Sequence, residues 1–187
     1  LLAGTLLTRL WLVRRHVRHV LGHRRQVPAP FRGKILLKAH RKAADYTVSK
    51  TRFAMLAGVV DTLLLLGWTV GGGLEILDQT WRATGFGELI AGTLFLLSAF
   101  LIMALLDLPA TLYQTFVIEQ RFGFNHSTPA LFVADLLKQA LLLFVLGAPL
   151  ALAALWLMQS AGTLWWFYLW MLWSGFTLLM IWAYPAI

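Results

Sequence analysis

Apolar residues gather in blocks separated by short polar stretches. The visible blocks run over about 1–13, 53–77, 89–106, 131–158 and 164–184. A bilayer crossing needs about 20 apolar residues in a row. Four of the blocks approach or exceed that length, and the first, LLAGTLLTRLWLV, is short of it. We read that first block as the visible tail of a span that begins upstream, with Arg9 near enough to its basic end to snorkel. Strands of a membrane barrel would show alternating polarity in segments of about 10 residues, and no such alternation occurs. The pattern therefore predicts an all-α, polytopic helical membrane protein with about five transmembrane helices and one further amphipathic helix.

That further helix lies in the basic segment 14–52. Pro28 and Pro30 are expected to end the helix leaving the first span. A second helix is expected to restart near Arg32. Ile35, Ala39, Ala43 and Tyr46 recur at three- and four-residue spacing, with Lys34, Lys38, Arg41, Lys42 and Asp45 on other faces. Such a basic amphipathic helix suits an anionic leaflet or an adjoining domain.

Charge sets the orientation. Segment 14–52 holds 12 of the 16 Lys and Arg residues against one acid, Asp45. Short basic loops stay cytoplasmic. The 14–52 segment and stretch 107–130 are then expected inside, the 78–88 loop and the 159–163 turn outside, and the C-terminal end cytoplasmic. Trp165, Trp166, Tyr168 and Trp170 crowd one end of the last block, and Trp182 and Tyr184 mark the other, as interfacial aromatics do. The net charge of +8 is explained by this inside loop, so nucleic acid is not an expected partner. The lipid bilayer is. The residue usage points to a bacterial inner membrane, or to an endoplasmic-reticulum-type membrane in a eukaryote.

Catalytic signatures are missing. The chain has no cysteine, which removes disulfides and thiolate metal sites. It has no H-E-x-x-H, no G-x-S-x-G and no Walker loop. His16, His19 and His23 share a helical face, yet arginines surround them and no carboxylate stands behind them as a second shell. They read as solvated interface histidines. No catalytic and no metal-binding residue is assigned in the chain.

One intramembrane charge stands out. Asp61, in GVVDTLLLLGW, costs a few kcal/mol at that depth unless it meets water or a partner. It is expected to face inward, either into a polar chamber or onto a hydroxyl such as Thr62, Thr93 or Ser98. Gly147 and Pro149 are expected to kink the fourth span. The glycines at 71–73 are expected to loosen the outer end of the second.

The least generic stretch is TFVIEQRFGFNHSTP, residues 115–129. Pro109 is expected to start a short helix, Gly123 to stop it, Asn125 to turn, and Thr128–Pro129 to cap the helix that follows. This stretch, with QVPAPF at 26–31, KAADYTVSKTR at 42–52 and LGWTVGGG at 66–73, resembles the amino-terminal membrane region of the CAAX prenyl endopeptidases. These are integral-membrane zinc metalloproteases. The four stretches span much of the chain, in the family's order.

The resemblance implies membrane helices ringing a water-filled chamber, closed on the cytoplasmic side by a zinc domain beyond residue 187. Zinc would be the cofactor of the full-length protein. Prenylated or other membrane-associated proteins would be its substrates, with quality control the role of bacterial relatives. The front part would scaffold and enclose the site rather than perform chemistry. Asp61 would face the chamber, and Glu119, Arg121, Phe122, Phe124 and Asn125 would contact the zinc domain. For Glu119 and Arg121 the plainer reading is a pair of solvated interface charges. Two other functions stay open on the residues alone. One is a transporter or channel with Asp61 on its path; the other is a non-catalytic anchor that binds a partner through the basic segment.

Overall fold

The computed structural model describes residues 2–31 and 33–183. Tyr184 and Arg32, to which the sequence reading gave an interfacial role and a helix start, lie outside the described residues. Seven α-helices are present among the described residues, with no strand. They are α1 (Leu2–His23), α2 (Leu37–Thr69), α3 (Gly73–Arg82), α4 (Glu88–Tyr113), α5 (Pro129–Leu142), α6 (Ala148–Ser160) and α7 (Trp165–Ala183). Four continuous helical stretches are long and apolar enough to cross a membrane: Leu37–Thr69, Glu88–Glu119, Pro129–Ser160 and Gly162–Ala183. The sequence reading of an all-α multi-pass membrane protein therefore stands.

The burial pattern agrees. Among the described residues only five apolar side chains are buried: Ala44, Val48, Ala91, Leu97 and Ile118. Large apolar side chains instead line the outside, with Trp182 and Val70 each 82% exposed. In water so much exposed apolar area would drive association; in lipid it is the ordinary outer face of a helix.

Proline and glycine shape the helices. The 53–77 run is divided between two helices. α2 ends at Thr69, and the Leu66 carbonyl in its last turn accepts from the amides of both Val70 and Gly71 at 2.8 Å. Gly72 then takes a positive φ of 79°. A Cβ on Gly71 would sit 2.6 Å from the Gly67 carbonyl oxygen, so only glycine fits there. The chain restarts as α3, amphipathic, with Glu75 in its first turn and Arg82 in its last, matching the helix dipole.

Pro109 departs from expectation. It does not start a short helix but lies inside α4, and the helix runs on as a π-helical turn over Gln114–Glu119. A proline costs a helix one hydrogen bond and crowds one carbonyl, and a long apolar helix in lipid accommodates both. Pro149 shows how the crowding is relieved: a widened turn over Leu143–Gly147 holds Val145, the residue whose carbonyl the proline ring would strike.

The chain divides into two compact units. The first comprises Leu1–Gly73 and Ala104–Pro129. There α1 lies along α2, and α2 meets the 114–119 turn. The second comprises Leu74–Met103 and Ala130–Ile187, where α6 packs on α7. Close approach in this second unit depends on small residues. The Gly92 site lies 3.0 Å from Leu155 Cδ1 and the Gly147 site 3.5 Å from Leu97 Cδ2, as a Cβ there would find them. Trp81 Nε1 donates to Ser98 Oγ at 2.9 Å and fastens α3 to α4.

Candidate functional site

Length alone brings two polar ends together in the first unit. α2 has 33 residues and so extends about 50 Å, well beyond a hydrocarbon core about 30 Å thick. The helix from Glu88 to Glu119 has 32 residues and overshoots in the same way. Phe53 meets Tyr113 with ring centroids 4.9 Å apart, which aligns the overhanging start of α2 with the overhanging end of the other helix.

There the two overhangs clasp. Tyr46 on α2 lies against Phe122 at 5.5 Å and Phe124 at 4.8 Å, both in tilted or edge-on geometry. Lys42 Nζ sits 5.3 Å above the Phe124 ring. Ala44, Val48 and Ile118 make the buried floor. On its other side α2 is held to the end of α1, where Arg24 donates to Asp45 at 2.6 Å. His40 Nε2 is 3.1 Å from the His23 carbonyl oxygen.

The turn below the clasp is built by local chemistry. The Phe124 amide donates to the Glu119 carbonyl at 2.9 Å and the Gly123 amide to that of Gln120 at 3.0 Å. Gly123 between them has a φ of 67°. This is a Schellman closure, and it is why the helix stops here. Asn125 Oδ1 accepts from the Ser127 amide at 2.7 Å, and its Nδ2 donates to Gln120 Oε1 at 2.9 Å. α5 then starts at Pro129, directly after Thr128.

The residues assigned to a zinc-domain contact thus divide. Phe122, Phe124 and Asn125 are engaged in building the clasp and turn. Glu119 is half-buried, and its carboxylate accepts from Gln114 Nε2 at a long 3.4 Å; Arg121 is exposed, with its guanidinium 5.8 Å from the Phe122 ring. Tyr46 and Lys42, which complete the clasp, escaped the site reading; Tyr46 was legible only as one apolar position of the basic helix.

Asp61 lies farther along α2 and is exposed. It lines two clefts. One, of about 840 Å³ between α1 and α2, also takes in Arg9, Lys50, Thr5 and Thr51. The other, of about 350 Å³, is flanked by Asp107, Pro109 and Phe53. The hydroxyl partners weighed for Asp61 serve their own helices: Thr62 donates to Gly58 at 2.7 Å, Thr93 to Leu89 at 2.8 Å and Ser98 to Phe95 at 3.0 Å. Asp61 is therefore a cleft carboxylate, and the three hydroxyls considered for it donate to backbone carbonyls of their own helices.

Among the described residues, no three His, Asp or Glu side chains come together as a metal site. The His19 and His23 rings lie 4.3 Å apart, tilted by 36°, and His23 Nδ1 is turned to the His19 carbonyl oxygen at 2.9 Å. These residues do not fit a zinc ion.

Comparison with known proteins gives the family. Residues 16–187 match the family described as CAAX prenyl protease N-terminal, five membrane helices. The Caenorhabditis elegans CAAX prenyl protease 1 homolog is 30% identical over 171 residues, 90% of this chain and 38% of that protein. The mouse homolog is 31% identical over 153 residues, covering 78% of this chain and 32% of its own length. The fold is that of the crystal structure of S. mikatae Ste24p, at a TM-score of 0.86 and 19% identity, over 98% of this chain and 44% of that one. The chain thus spans about a third to two fifths of the length of these relatives. It belongs to the CAAX prenyl protease N-terminal family.

Proposed function

We propose that this chain is the membrane-embedded front part of a zinc metalloendopeptidase, and that it scaffolds and encloses an active site on the cytoplasmic side. The observation that carries this reading is the clasp of Tyr46, Phe122 and Phe124. It holds the ends of two overlong helices together and leaves Glu119 and Arg121 without a carboxylate or cationic partner among the described residues. A clasp of that kind is a platform for a domain seated on it.

The described side chains supply no zinc ligands, so zinc would be held by residues of the parent protein beyond this chain. Bound there, it would polarise the scissile carbonyl and lower the pKa of an attacking water. The present residues would position, enclose and shield. Asp61, exposed on the cleft it shares with Asp107, would line the chamber wall and keep it wet. Relatives named CAAX prenyl protease 1 homolog suggest a prenylated C-terminal tail as substrate, with other membrane proteins as further candidates.

The test uses the full-length parent in proteoliposomes with a prenylated C-terminal peptide. Cleavage that stops with a zinc chelator and returns with added zinc is expected. A parent that cleaves neither the prenylated peptide nor a membrane-protein substrate would remove the proposal.

A further inference from the structure

A second groove in the first unit is not used by the clasp or by Asp61. It is a cavity of about 270 Å³ where Arg14 and Arg18 of α1 meet Arg52 of α2. Its floor is apolar, from Val13, Val17, Leu21 and Met55. No carboxylate lines it. Among the described residues none of the three arginines is ion-paired, and the only acid of the basic segment, Asp45, is committed to Arg24. Arg14 and Arg18, one turn apart on the same helix face, repel one another, and Arg52 adds a third like charge.

The groove does not end there. Val13 and Met55 also line the larger α1–α2 cleft, which continues along the bilayer-crossing part of α2 past Leu10 and Leu6 and carries Lys50 at its rim. A cationic mouth therefore opens into a mainly apolar trough whose walls also carry Arg9 and Asp61.

We propose that this groove binds one anionic phospholipid, its phosphate held by Arg14, Arg18 and Arg52 and an acyl chain laid along the α1–α2 cleft. Planar guanidinium groups from two helices can share one phosphate in bidentate fashion, which lysines cannot. The occupant must carry both a phosphate and a long apolar chain, because the mouth and the trough share two wall residues. An acidic protein segment would satisfy the arginines but leave the trough unfilled. The consequence for the fold is a lipid that staples α1 to α2 at a place where the protein supplies like charges only.

Native mass spectrometry of the purified protein in detergent tests this, with phosphatidylglycerol and phosphatidylcholine of identical chains added in turn. One phosphatidylglycerol should remain bound at physiological salt, about tenfold more tightly than phosphatidylcholine. Each of Arg14→Gln, Arg18→Gln and Arg52→Gln should weaken that lipid by about fivefold. The triple variant Lys34→Gln/Lys38→Gln/Arg41→Gln, which removes equal charge elsewhere, should change it by less than about twofold. Circular dichroism checks that each variant keeps its helices, and the single substitutions remain readable if the combined one does not fold. Equal retention of the two lipids, equal losses in both sets of variants, or displacement of the lipid by millimolar inorganic phosphate would each overturn the proposal, the last by revealing a site for free anions.

Discussion

The two units of the chain are held together by different physics. The first is fastened by directional contacts: the rings of Tyr46, Phe122 and Phe124, the Lys42 ammonium over one of them, and the Arg24–Asp45 pair. The second is nearly uncharged in its long helices and closes by small residues, with Gly92 against Leu155 and Gly147 against Leu97, plus one side-chain hydrogen bond from Trp81. In lipid, apolar side chains gain little by leaving a hydrocarbon solvent, so close van der Waals fit must hold the second unit. Where helices overshoot the hydrocarbon, water returns, and aromatic and charged contacts regain their value. The difference marks which part of each helix lies in which solvent.

Substitutions can break or sharpen that contrast. Tyr46→Ala removes two ring contacts and the ring beneath the Lys50 ammonium at once, and should lower stability in detergent by about 2–3 kcal/mol, read from thermal unfolding. A loss no larger than that of an exposed surface residue would dissolve the clasp. Gly123→Ala forces an L side chain to a φ of 67° and should cost about 1–2 kcal/mol by the same measurement, with Gly123→Asn milder. In the second unit, Trp81→Phe keeps the ring and loses the hydrogen bond to Ser98, for about 1 kcal/mol. Arg24→Gln should fall below about 1 kcal/mol, because both partners of its ion pair remain more than a third exposed and water screens them. Smallest of all, Glu119→Lys/Arg121→Glu should leave the melting curve within about 0.5 kcal/mol of the parent. In the full-length protein the same double reversal should nonetheless slow proteolysis by about tenfold or more, the loss expected when a docked charge pair is inverted. Unchanged proteolysis would mean that the two charges are merely solvated.

The helices were legible because bilayer length and apolarity are written in single residues. The turn at Gly123 was legible for the same reason: a left-handed stop needs glycine, and its position marks the end. What the sequence hid was continuity. Pro109 reads as a beginning, and in lipid it sits inside one long helix, because the bilayer penalises a broken backbone more than the loss of one bond. The clasp was half visible. Phe122 and Phe124 stood out, while their partner Tyr46 lay 76 and 78 positions earlier, on a helix whose charge drew attention to its other faces. Asp61 was conspicuous as an intramembrane charge, but its surroundings of Arg9 on one side and Asp107 on the other come from helix pairing that no local pattern encodes.

On the proposed function, these residues build the enclosure and leave the chemistry to the rest of the parent protein. The most direct measurement places residues 1–187 and the full-length parent in identical proteoliposomes, supplies equal zinc, and follows cleavage of a prenylated peptide with and without chelator. The parent should cleave in a chelator-sensitive manner and residues 1–187 should show no cleavage above empty liposomes. Chelator-sensitive cleavage by residues 1–187 alone would contradict the account.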